Sequence, residues 1–587
     1  MSRAPLLRRA ILGSFVCAAF GAAWGSACPV SAGQARPRPA TFCNPIALND
    51  DLGLAPGPQP ADPAVLFFKG EYWVFTSASA TYWHSPDFVN WRQVQPSGLP
   101  KANGAPALVV LGGRLHLLPS GARGLYATDD PGQGDWTMVA DTAAYPDPEL
   151  FLDDDGRIYL YYGSAEHGPI SGVELDPADR FKVVRGPVEC TAGDPGTRGW
   201  EVYGEDNRGA PYRGRMRLEP WISGAAMIKH GGRYYLQYAA PGDDLATSAS
   251  GVFVASSPLG PFAYAPYSPL ARRTTGFVSG IGHGRVFADA TGRLWYVSGI
   301  ATSPRAGRAR RLALFPAGFL PDGQLAVDTY LGDYPQYAPG RVNASLGRSS
   351  PGWLLLSRNK RSEASSSKDG FPAENAFDEN ARTRWSAVSG RAGEWLSVDL
   401  GRRCRIDALQ LSFSAEGHSS SVEAEDRVCQ YSVEVSDDGR HWALLYERRD
   451  GARAAMHDYL PLDRPIVRRF VRVLNIHTPG EAPFSVSELR VFGHSREKPP
   501  KQVQAVAASR DPADPRRLRV SWTPAKGAGF HIVRHGTAAD RLFGNHATYD
   551  SSFVEIGSLN VGVPYFVSID AVNESGVTRA KTVVAVK

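Results

Sequence analysis

Cysteine is scarce in this chain, with 6 residues in 587, and long helical or apolar runs are missing. No segment of twelve or more residues keeps a helical period, which excludes a helix bundle. The apolar run from Ala10 to about Ala23 is too short to span a bilayer. A charge excess of one sign is missing too. The formal balance is +5, but Met1–Ala32 carries Arg3, Arg8 and Arg9 and no acid, so the remainder stands near +2. Neither a nucleic-acid nor a membrane-surface partner follows from that balance.

What the N-terminal stretch does contain is the anatomy of a secretory signal: an Arg-bearing start, the apolar run, then small residues. Val30-Ser31-Ala32 is an acceptable cleavage site, and Ala27 before Cys28 is another. Gly25-Ser26-Ala27-Cys28 is a poor lipoprotein site, because a larger aliphatic residue is expected three before the cysteine. A secreted or periplasmic location is expected. Cleavage after Ala32 leaves Cys43, Cys190, Cys404 and Cys429, an even number suited to an oxidising compartment. Cys404 and Cys429, near the starts of two expected strands of one domain, are expected to pair, leaving Cys43 with Cys190.

Turn chemistry is abundant. The chain has 61 Gly and 45 Pro without collagen periodicity, 43% hydrophobic and 10% aromatic residues, the composition of a turn-rich all-β protein of two to four domains. Tyr145–Gly163, YPDPELFLDDDGRIYLYYG, supplies the repeating unit: an acid-Pro step, a short strand, a turn ending in Gly, and an aromatic strand. The same grammar recurs around turn glycines 70, 113, 156, 232 and 292, at intervals of 43, 43, 76 and 60 residues. These intervals are near the length of a propeller blade, two of them enlarged by insertions, and predict five blades.

Proline lacks an amide N–H and suits the first residue of a strand, so the side chain before it is expected at the mouth of the innermost strand, facing the channel. That ring reads Asp62, Ala105, Asp147, Glu219 and His283. Their offsets from the turn glycines are 8, 8, 9, 13 and 9 residues. Carboxylates gathered in a partly desolvated funnel raise one another's pKa, an arrangement that calls for a use. Two of them suffice for hydrolysis of a glycoside, one protonated beside the leaving oxygen and one ionised to activate water. A third keeps the acid protonated. His283 is either a packing histidine or a channel ligand for a hydrated cation. Arg285 either contacts a substrate hydroxyl or pairs with an acid on the rim. Trp221, two residues past Glu219 on the same strand face, either stacks on sugar or packs between blades. Asp153-Asp154-Asp155 immediately precedes a turn glycine and reads as a solvated hairpin turn. The 191–217 insertion is expected to build the pocket rim.

Beyond about Gly347 the sequence reads as a β-sandwich over 349–494, a charged Pro-containing linker at 495–504, and a second small sandwich over 505–587. Residues 33–42, a Pro/Arg stretch without apolar period, are expected to form a flexible leader. No acid of the expected site lies beyond the propeller, so both sandwiches are expected to be separable from catalysis.

Spaced motifs in the 43–348 region resemble glycoside hydrolase family 43. They are Asn44-Pro45, ADPAVLFFKGEYWVFTS from Ala61, DPELFLDDDGRIYLYYG from Asp147, PISGVELD from Pro169, LEPWISGAAMIKHGGRYYLQY from Leu218, and GIGHGRVF from Gly280. The resemblance implies a five-bladed propeller with Asp62 as general base, Asp147 as pKa modulator and Glu219 as general acid, and no catalytic cofactor. It further implies exo action on arabinofuranosyl or xylosyl linkages of a polysaccharide or oligosaccharide, with a β-galactosidase-type member as the alternative. A non-catalytic carbohydrate-binding propeller and a retaining five-bladed glycosidase are the competing classes, the latter told by carboxylate separation. NAFDENARTRW from Asn375, EWLSVDLG from Glu394 and VSELRVFG from Val486 resemble a discoidin-type domain, as in carbohydrate-binding module family 32. That likeness implies a structural calcium at Asp378, Asn380, Thr383 and Glu488, with Glu379 standing where a Gly is usual. Trp385 and Trp395 beside strand starts are expected in its core. The last unit resembles a fibronectin type III domain with Trp522 and Tyr565 as core aromatics.

Overall fold

The aromatic and branched residues flanking the turn glycines pair as expected, into five antiparallel blades, four of them four-stranded and the fourth extended to six strands. The innermost strands are Ala61–Phe68, Ala107–Leu111, Glu149–Leu152, Trp221–His230 and Ser279–Ala288. The computed structural model describes residues 40–586 except 47, 49–60, 78–80, 101–103, 213, 244, 302–309, 341–345, 415–428 and 450–455. The secretory segment Met1–Ala32 and its cleavage sites lie outside the described residues. Among those described, no helix is long and apolar enough to cross a membrane.

Neighbouring blades share apolar seams. Tyr72, Trp83 and Phe287 are buried between the first and fifth blades, and Phe75, Tyr82 and Trp136 between the first and second. The ring is latched at its ends by Asn44, which is fully buried. Its Nδ2 donates to Leu314 O at 2.9 Å and Gly332 O at 2.7 Å, while its Oδ1 accepts from Leu314 N–H at 2.9 Å. One side chain thereby satisfies three backbone groups that a strand end would leave unpaired.

Two sandwich units follow. Strands from Leu354 to His494 form one eight-stranded sheet system, in which Trp385 is fully buried and Trp395 half-buried. Strands from Gln504 to Val586 form sheets of three and five strands around Trp522 and Tyr565. Neither unit stands apart from the propeller. Tyr334 of the propeller, Phe492 of the first sandwich and Phe530 of the second lie in one apolar cluster.

At that junction Arg490 is fully buried. Its guanidinium forks onto both oxygens of buried Glu379, at 2.7 and 2.8 Å, and Nη1 donates to Gln410 Oε1 at 3.0 Å and to Asp333 O in the propeller. The segment 495–504 is likewise anchored: Ser495 N–H donates to Glu574 O at 2.9 Å, and Lys501 N–H to Lys526 O at 3.0 Å.

Three expectations are corrected. Cys43, Cys190, Cys404 and Cys429 are all free thiols. Cys43 lies in the interdomain cluster and Cys190 among the blade aromatics, and burial pushes both thiols up to about 12. Asp153 is not a solvated turn residue: it is 5% exposed, accepts from Tyr234 Oη at 2.6 Å, and pairs with Lys229. Finally, the first half of the 191–217 insertion is fastened to the C-terminal sandwich. Gly199 N–H donates to Leu559 O at 3.0 Å, Val561 N–H to Thr197 O at 2.8 Å, and Arg516 Nη1 to Pro195 O at 3.0 Å.

Arg490→Ala leaves the Glu379 carboxylate buried without its partner and is expected to cost about 3–5 kcal/mol, read from urea denaturation. Removal of 495–587 strips the insertion of its partners. The truncated chain is expected to melt at lower temperature and to lose turnover, and a melting curve and rate equal to those of the full chain would show the insertion to be self-supporting.

Candidate active site

The channel-facing position of four of the five blades is built by a local backbone device. In the first, fourth and fifth blades the innermost strand is interrupted by a bulge, at 62–63, 224–225 and 283–284. The residue in the bulge takes a left-handed conformation: φ is 48° at Asp62, 66° at Gly224 and 50° at His283. Asp147, before the Glu149–Leu152 strand, shares it at 43°. Positive φ is costly for a residue with a Cβ, and its repetition at equivalent positions marks them as a set.

The fourth member differs from expectation. It is Gly224, eight residues before its turn glycine as Asp62 is, and not Glu219. A Cβ on Gly224 would lie 2.9 Å from the His283 ring, so the bare backbone there makes room for the imidazole. Glu219 sits five residues upstream in the segment leading to the strand, half-buried, where Leu218 N–H donates to its Oε2 at 3.1 Å. Hydrogen bonds from its own N–H and from Leu218 hold its carboxyl below the usual range, with His167 and Arg217 adding to the effect.

Asp62 is the most strongly built residue of the ring. It is 8% exposed, and its Oδ1 meets Arg310 Nη1 at 2.6 Å and His283 Nδ1 at 3.3 Å, while Ser77 Oγ donates to Oδ2 at 2.8 Å. Burial alone would raise its pKa, but Arg310, His283 and Ser77 outweigh it and hold the carboxyl below its ordinary value. Arg310 reaches Asp62 because Gly299 lies beneath it: a Cβ there would come within 2.5 Å of the guanidinium. Asp147 is fixed by Ser120, whose Oγ accepts from its N–H at 3.0 Å and donates to its Oδ1 at 3.4 Å.

A further carboxylate enters from the loop after the Arg233–Ala240 strand. Asp243 Oδ1 is buried, 3.9 Å from His283 Nδ1, and without a hydrogen-bond donor among the described residues. Burial raises its pKa, with Arg310 opposing and the charges of Asp62 and Asp147 reinforcing. Sequence reasoning missed both Asp243 and Arg310, since neither lies in a repeated unit; the only trace was an acid pair directly after a strand and its Pro-Gly turn. Donor atoms of Asp62, Asp243 and His283 lie within 4.8 Å of one another, a candidate cation cluster. Arg310 already holds the shared Asp62 oxygen, so the charge a cation would neutralise is largely met.

The other expected residues are placed as follows. Arg285 Nη1 pairs with Glu149 Oε2 at 2.7 Å, both buried, so its charge is engaged inside the propeller. Trp221 is 37% exposed and its Nε1 donates to Ser164 Oγ at 3.1 Å, which puts it at the surface rather than between blades. In the discoidin-like unit, Asp378 accepts from Thr383 Oγ1 at 2.7 Å and from Asn380 N–H at 2.9 Å. Glu488 Oε1 accepts from Glu379 N–H at 3.3 Å.

Residues 58–324 match the family described as glycosyl hydrolases family 43, and residues 361–489 match the F5/8 type C domain. No curated protein matches the chain. Among solved structures, one described as a glycoside hydrolase is 18% identical, with a TM-score of 0.43, over 75% of this chain and 99% of its own. A thermostable family-43 glycoside hydrolase is 23% identical with a TM-score of 0.40, over 53% and 100%. The xylan β-1,4-xylosidase from Bacillus halodurans C-125 is 15% identical with a TM-score of 0.39, over 77% and 100%. On the family match the chain is a glycosidase, and it carries a discoidin-like domain behind the propeller.

Arg310→Gln removes the main charge that keeps Asp62 ionised. The Asp62 pKa then rises, so the acid limb of the pH–rate profile is expected to move to higher pH; an unmoved limb would show that Asp62 does not set it.

Proposed function

We propose that this protein is a secreted or periplasmic, inverting, exo-acting glycosidase of arabinofuranosyl or xylosyl linkages in polysaccharides. The observation that carries the reading is Asp62, a buried carboxylate kept ionised at the channel mouth by Arg310. In this reading Asp62 takes a proton from water as it attacks the anomeric carbon, and Glu219 gives its proton to the leaving oxygen. Asp147 tunes and orients the acid. Glu219 has to turn away from Leu218 N–H to do so, because an acid held below its usual pKa carries no proton at neutral pH. A β-galactosidase-type specificity is the alternative for the same machinery.

A second assignment of the proton donor is favoured by one observation: Asp243, rather than Glu219, is the carboxyl whose surroundings raise its pKa. Its donor oxygen lies within 4.8 Å of that of Asp62, nearer the separation of a retaining pair, about 5–5.5 Å, than the inverting range of about 6.5–9.5 Å.

The domain division that goes with either assignment is a catalytic propeller over 43–348, a discoidin-like sandwich over 349–494 and a fibronectin type III-like unit over 505–587. Asp378, Asn380, Thr383 and Glu488 fit a structural calcium. Glu488 Oε2 is a buried oxygen without a donor, and burial together with Glu379 and Asp378 pushes its carboxyl well above the usual range, a load that a cation would relieve. Glu379, committed to Arg490, would not join that ligand set.

Hydrolysis of aryl arabinofuranosides, xylosides and galactosides by the wild type tests the activity, and proton NMR of the first-formed sugar tests its course. Inversion with activity lost in Glu219→Ala supports the first assignment. Retention, with loss in Asp243→Asn confined to poor leaving groups, supports the second. Asp62→Asn is expected to remove activity under either, and full activity in that variant would sink both.

A further inference from the structure

The seam between the propeller and the C-terminal sandwich encloses a cavity of about 350 Å³, far from small enough to be a packing defect. Arg208, Arg272 and Thr274 line it from the propeller side, and Arg517, His546 and Phe553 from the sandwich. A second cavity shares Arg272, Thr274 and His546 with it.

Arg272 is the unusual member. Its Nη1 donates to Gly557 O at 3.2 Å and its Nη2 to Asn207 Oδ1 at 2.9 Å, and its Nε is buried with no acceptor among the described residues. Both acceptors are neutral, and among the described residues no carboxylate stands within ion-pair distance of it. Burial depresses its pKa to about 10, so it remains a cation at neutral pH while lacking a counter-ion. Such a charge is costly unless something anionic meets it.

Of the acids nearby, Asp206 acts on Arg272 from beyond ion-pair distance and offsets only part of the burial. Glu555 is paired with Arg519 at 3.1 Å, and Asp206 is exposed at the cavity mouth beside Arg208. Arg517 is partnered by Asp514 at 3.5 Å, which leaves Arg272 and the exposed Arg208 as the uncommitted positive groups.

The remaining lining resembles neither a bare ion site nor a core. Phe553 is 48% exposed and offers a flat apolar face. Burial, with Arg272 and Arg273 adding to it, drives the His546 pKa down to about 4, so its ring is neutral and able to exchange hydrogen bonds with a hydroxyl. Thr274 adds a second hydroxyl-compatible group.

We propose that this seam is a second, non-catalytic site for an anionic sugar residue, charged through a carboxylate or a sulfate ester. The anionic group lies on Arg272 and Arg208, the ring on Phe553, and the hydroxyls on His546 and Thr274. The inference draws on the glycosidase assignment only in naming a sugar, and it holds whichever residue donates the catalytic proton. The C-terminal sandwich thereby becomes a reader of charged substituents on the polymer, not a spacer.

The test is calorimetric titration of the full chain with D-glucuronate, D-glucose 6-sulfate, D-glucose and inorganic sulfate. At least one charged sugar is expected to bind, and the two arms tell carboxylate from sulfate ester. Arg272→Gln and Phe553→Ala are each expected to weaken that binding about tenfold, the equivalent of about 1.4 kcal/mol, with aryl-glycoside hydrolysis unchanged. Should Arg272→Gln fail to fold, Arg208→Ala and Phe553→Ala, both at exposed residues, carry the same expectation. Failure of both charged sugars to bind, glucose or free sulfate binding as tightly as they do, or wild-type affinity in the folded variants would overturn the proposal.

Discussion

A left-handed kink at the entrance of the innermost strands is the constraint on which the site depends. An ordinary strand residue there would alternate between the two faces of its blade and never look down the channel. A one-residue bulge at Asp62 and at His283, and a positive φ at these and at Asp147, aim the three side chains at a common space. Each such residue stores about 1–3 kcal/mol of backbone strain. The shared seams of five blades hold the kinks in place, since no blade can relax without disturbing the two it packs against.

Charge follows from that geometry. Once Asp62 is carried into a buried position, its ionised form survives only with a cation and donors around it, and Arg310, His283 and Ser77 provide them. Arg310 in turn needs the empty space over Gly299, and His283 the empty space over Gly224. Asp62, its two cationic partners and the glycines are thus one unit. The glycines are there for what a side chain would displace. Asp243 and Asp62 share neighbours yet shift in opposite directions, one raised and one lowered, and unlike environments of this kind separate acid from base in a glycosidase.

The accessory units contribute to the same arrangement rather than hanging from it. Arg490, held in a fully buried ion pair with Glu379, joins the first sandwich to the propeller by donating to Asp333 O. The C-terminal sandwich holds the insertion that leads into the fourth blade. A seam stabilised in this way leaves cavities where the curved surfaces of two β units do not fit flush, and it is there that Arg272 stands without a counter-ion.

Much of this was legible in the sequence. Turn glycines, Asp-Pro steps and aromatic strands determined five blades, two sandwiches, and the channel positions of Asp62, Asp147 and His283, because each depends on residues close together in the chain. The offset of 13 residues at Glu219, against 8 or 9 elsewhere, was the local sign that the fourth blade broke the pattern. Only the strand register could show that Gly224 fills the place. Asp243, Arg310 and the buried partners of Arg490 were decided by the tertiary structure alone. Their roles come from contacts between residues tens to hundreds of positions apart, and an ion pair or a shifted pKa is a property of the space between two side chains, which no stretch of sequence contains.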